Sequence, residues 1–76
     1  MKESMLALMD ALSASIRTET YAAAELAEVA AMLEAGGRRD TASAMRTVAR
    51  LHRVAVLKNQ GDLAALQAEY RKCFLS

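Results

Sequence analysis

Proline is absent and glycine occurs only as Gly36, Gly37 and Gly61, so the sequence invites a helix to stop at two places and forces it to stop at none. Cysteine occurs once, as Cys73, which excludes an intrachain disulfide; with His52 the only histidine, a Cys/His zinc cluster is excluded as well. That usage fits a reducing cytoplasm. Aromatic residues make up 4% of the chain, too few for a bulky core or for a row of rings on which bases could stack. No uncharged apolar run approaches the roughly 18 residues of a membrane span, and the apolar run before Asp10 is too short for a secretory signal, so a soluble chain is expected. Chemistry is equally sparse. Gly36-Gly37 is not followed by Gly-Lys-Ser/Thr, neither His-Glu-x-x-His nor Cys-x-x-Cys occurs, and Ser13, Ser15 and Ser43 have no base other than His52. No catalytic residue and no cofactor are assigned. Cys73 reads as a free thiol or a packed apolar side chain, and Tyr21 and Tyr70 as apolar area with the hydroxyl at the rim.

What is present is helical periodicity. Met5, Met9, Leu12, Ile16, Glu19, Ala23, Leu26, Ala30 and Leu33 alternate spacings of four and three, the seven-residue repeat of a helix packed lengthwise on another. This predicts a helix over about 3–35. Gly36-Gly37 then supplies the left-handed conformation that ends helices, and Asp40 or Thr41 is expected to cap the next one after a turn over 36–40. The pattern resumes with Met45, Val48, His52 and Ala55, giving a helix over about 41–60. Gly61-Asp62 invites a break, with a further helix over about 62–74. Yet Leu63, Leu66, Tyr70, Cys73 and Phe74 keep the phase of Met45 and His52, so a second long arm, kinked or briefly broken there, is expected.

Two arms of similar length joined by a tight turn predict a single all-α domain over 1–76, an antiparallel hairpin with a break or short third helix after Gly61. With the turn centred near residues 37 and 38, Leu12 should face Leu63, Met9 should face Leu66 and Met5 should face Tyr70. One seam cannot cover the alanine-rich faces beside it. Dimerisation into a four-helix bundle, or pairing with a protein partner, is therefore expected.

Charge divides between the arms. Residues 1–37 carry two basic and six acidic residues, net −4, and residues 38–76 carry eight basic and three acidic, net +5. The simplest role for this asymmetry is to select antiparallel pairing through flanking ion pairs. Arg46, Arg50 and Arg53 lie together on a polar face, and a basic strip of this kind could take nucleic acid. A whole-chain charge of only +1 and the lack of interleaved aromatics argue against that.

Glu19 and His52 stand where leucine would pack better, and the hairpin register puts His52 opposite Ala23, one helical turn from Glu19, so the two could touch. Carboxylate and imidazole can satisfy one another and fix the register. In a dimer, two of each would meet, which suggests a shared metal site. The long hairpin with a short third helix resembles the half-size ferritin-like proteins, and that resemblance implies metal binding at Glu19 and His52. The family's Glu-x-x-His is not matched, since Ala49 and Ala55 stand three residues before and after His52. In composition the chain is also similar to small secretion chaperones and phasin-like proteins. The sequence thus points first to an interaction or assembly module acting through a seam of Met5, Met9, Leu12, Ile16, Leu26, Leu33, Met45, Val48, Leu63, Leu66 and Tyr70.

Overall fold

The computed structural model describes residues 1–75 and contains two helices, α1 (Lys2–Ala35) and α2 (Arg39–Phe74). They fold back on each other as an antiparallel hairpin, 57 × 15 × 13 Å, and no strand occurs among the described residues. Among those residues no helix is long and apolar enough to cross a membrane.

The turn is short because its backbone bonds close on themselves. Arg38 N–H donates to the Leu33 carbonyl at 2.8 Å and Gly37 N–H to the Glu34 carbonyl at 3.0 Å, the paired bonds of a Schellman motif. Gly37 holds the left-handed position at φ 84°, where a Cβ is strained, whereas Gly36 lies at φ −83°. The chain re-enters a helix at once. Arg38 is the N-cap of α2 and makes no side-chain cap bond, so Asp40 and Thr41 lie inside the first turn instead of capping it. There the Asp40 carboxylate still complements the positive end of the helix dipole.

α2 runs unbroken through Gly61 and Asp62, where a kink or brief break was expected, and no third helix occurs among the described residues. Lys58 Nζ bridges this turn to Asp62 at 2.9 Å. Glycine costs a helix about 1 kcal/mol, less than the docking of Val56, Asn59, Leu63 and Leu66 on either side of it contributes by packing on α1. The two glycines predict opposite outcomes. Nothing lies within 4 Å of a Cβ built on helical Gly61, so Gly61→Ala should stabilise by about 0.5–1 kcal/mol. Gly37→Ala should destabilise by about 1 kcal/mol. Denaturant midpoints of the two variants check both signs.

Candidate functional site

The seam between the arms is narrow. Every α1 position in the seven-residue repeat, from Met5 to Leu33, is turned at least partly from solvent. In α2 the matching set is Ala42, Met45, Ala49, His52, Val56, Asn59, Leu63, Leu66 and Tyr70, again spaced three and four apart. Val48, expected in the seam, is 43% exposed, and Ala49 takes its place. Among the described residues the four buried side chains are all alanines, Ala23, Ala30, Ala42 and Ala49, small side chains that suit close packing of the two arms. Cys73 and Phe74, placed in phase with the seam by periodicity, are exposed; the Cys73 thiol donates to Glu69 Oε1 at 3.6 Å. Asn59 was missed by the sequence reading, although continuing the spacing from His52 through Val56 reaches it.

The structure brings Glu19 and His52 together across the arms, with His52 Nδ1 hydrogen-bonded to Glu19 Oε2. Periodicity places His52 level with Ala23, and the carboxylate reaches it from one turn away. Both side chains remain about 30% exposed, at 30% for Glu19 and 31% for His52, so neither is the buried polar group that the sequence suggested. A pair this wet contributes about 1 kcal/mol or less. His52→Leu should accordingly leave stability within about 1 kcal/mol of the parent or raise it, because Glu19 retains access to water. A double-mutant cycle with Glu19→Ala would read the coupling; a value above about 2 kcal/mol would assign the pair a larger role. No cluster of three or more His, Cys, Asp or Glu able to hold a metal occurs among the described residues.

The three arginines of the basic face fare differently. Arg46 forms an ion pair with Glu34 near the turn, and Arg50 Nη2 donates to Thr47 Oγ1 at 3.3 Å. Arg53 lines a shallow, mostly apolar groove with Thr20, Ala24 and Leu57. At the open end Lys2 Nζ lies 6.0 Å from the ring centres of both Tyr70 and Phe74, and those rings are 5.1 Å apart. Tyr21 is 67% exposed, and its hydroxyl donates to the Glu25 carboxylate, which, with added repulsion from Glu28, holds its pKa above the ordinary phenol value.

No family model, no curated protein and no solved structure matches the chain. Its class is accordingly defined by geometry alone, as an antiparallel two-helix hairpin with an alanine-lined seam and one cross-arm carboxylate–imidazole pair.

Proposed function

We propose that this chain is a non-enzymatic assembly module that works by pairing with a second copy of itself into a four-helix bundle. The carrying observation is area. A compact monomer of 8.2 kDa is expected to expose about 4,500 Å², whereas the hairpin exposes 5498 Å². Its radius of gyration is 17.1 Å, against about 11 Å for a compact chain of this length. Apart from the four alanines, the apolar seam residues all stay partly exposed. The excess, roughly 1,000 Å² per chain, is close to the ~800 Å² that each partner buries in a standard stable interface.

A second reading rests on the meeting of Glu19 and His52. One hairpin offers a metal two donors, and two copies would offer four, but these groups are tied up with each other and hard divalent ions prefer more oxygen ligands. The nucleic-acid reading is weakened by the pairing of Arg46 with Glu34.

Light scattering coupled to size exclusion, with metal analysis of the same peak, tests the proposal. The expected result is twice the chain mass without stoichiometric metal. A monomer at about 100 μM would overturn self-association, and one metal or more per dimer would shift the reading to a metal centre at Glu19 and His52.

A further inference from the structure

Resting on self-association, a further question is which flank of the hairpin meets the second copy and in which orientation. The Glu34–Arg46 pair and the groove shared by Thr20 and Arg53 place residues 6, 13, 20, 27 and 34 of α1 beside residues 46, 53, 60 and 67 of α2. The opposite flank therefore carries residues 8, 15, 22 and 29 of α1 and residues 41, 48 and 55 of α2, with the residues three further along each helix just outside them.

The two flanks differ in kind. The first carries Asp10, Arg17, Glu34, Arg46, Arg50 and Arg53, with Leu6 and Leu57 exposed between them. On the second, Leu8, Val29, Met32, Val48 and Leu51 are exposed at 50%, 41%, 73%, 43% and 64%. Its mid-length charges are Glu25 and Lys58 with Asp62, and the last two neutralise each other. Desolvating the second flank strands fewer charges.

We infer that the second copy docks on the Val29/Val48/Leu51 flank, related by a two-fold axis along the hairpin, so that each α1 lies over the partner copy's α2 and both turns sit at the same end. Charge decides between this and the other face-to-face arrangement. With the axis along the hairpin, a net −4 arm meets a net +5 arm twice. With the axis across it, each arm lies on its own copy, so like charge meets like over the whole length. Both arrangements keep neighbouring helices antiparallel, and the first brings Val29 level with the partner copy's Val48.

The single cysteine provides the test without mutation, because Cys73 is exposed at the open end of the hairpin. Spin labels on Cys73, with native mass checked after labelling, should lie within about 30 Å of each other, as packed helices are about 8–10 Å apart. Labels separated by nearly the 57 Å hairpin length in an intact dimer would overturn the orientation while leaving self-association standing. Two variants test the flank. Leu51→Glu should weaken the dimer by at least about a hundredfold, as each copy buries an unpaired charge. Leu57→Glu, 69% exposed on the arginine flank, should change the dissociation constant less than about threefold. The reverse ranking would place the interface on the arginine flank and refute the assignment. A monomeric parent protein would instead refute self-association itself.

Discussion

Leu26→Asp is expected to abolish the folded hairpin. Leu26 lies mid-seam between buried Ala23 and Ala30, at the level of Ala49 on the facing arm. The substitution removes about 2 kcal/mol of apolar burial. It also places a carboxylate between packed helices, adding several kcal/mol. A chain this short has only a few kcal/mol to lose. Circular dichroism should show most of the helical signal gone at 25 °C, with no cooperative melt. Val54→Asp provides the control, since Val54 is 63% exposed and the change should stay within about 0.5 kcal/mol of the parent. A Leu26→Asp protein that remained helical and cooperative would show that the two arms are not held by this seam.

Ala30→Leu is the second large effect, and its direction is the less intuitive one. Leucine is nearly as good a helix former as alanine and brings more apolar surface, so helix propensity alone predicts little change. Ala30, however, is 0% exposed, and near the turn the Schellman closure prevents the arms from spreading. Overpacking should cost about 1–3 kcal/mol. The neighbouring exposed change Ala31→Leu should be close to neutral. Denaturant unfolding of the pair measures the difference; equal midpoints would mean that the arms separate freely beside the turn.

The residues of α1 show how far one-dimensional periodicity reaches. All nine of its repeat positions face α2, because an uninterrupted helix without proline or internal glycine carries its phase from Met5 to Leu33 unaltered. The site was less fully legible in α2. After Met45 the next seam position could be three or four residues on, and both Val48 and Ala49 are apolar. The spacing Met45, Val48, His52, Ala55 runs three, four, three, whereas the buried set runs four, three, four through Ala49 and Val56, leaving Val48 43% exposed. At Gly61 local cost and phase point opposite ways, and α2 follows the phase, running on through the glycine to Phe74.

By itself, then, the sequence determined two helices, the glycine turn between them, the antiparallel register and that Glu19 and His52 lie within reach of each other. These follow from angles along a single helix and from the length of each arm. Only the tertiary structure decided how near the arms lie, that the buried side chains among the described residues are all alanines, and that the polar pair stays wet. Those outcomes depend on the distance between two axes, which is set jointly by side-chain volumes on both arms, and spacing along one chain does not encode that distance.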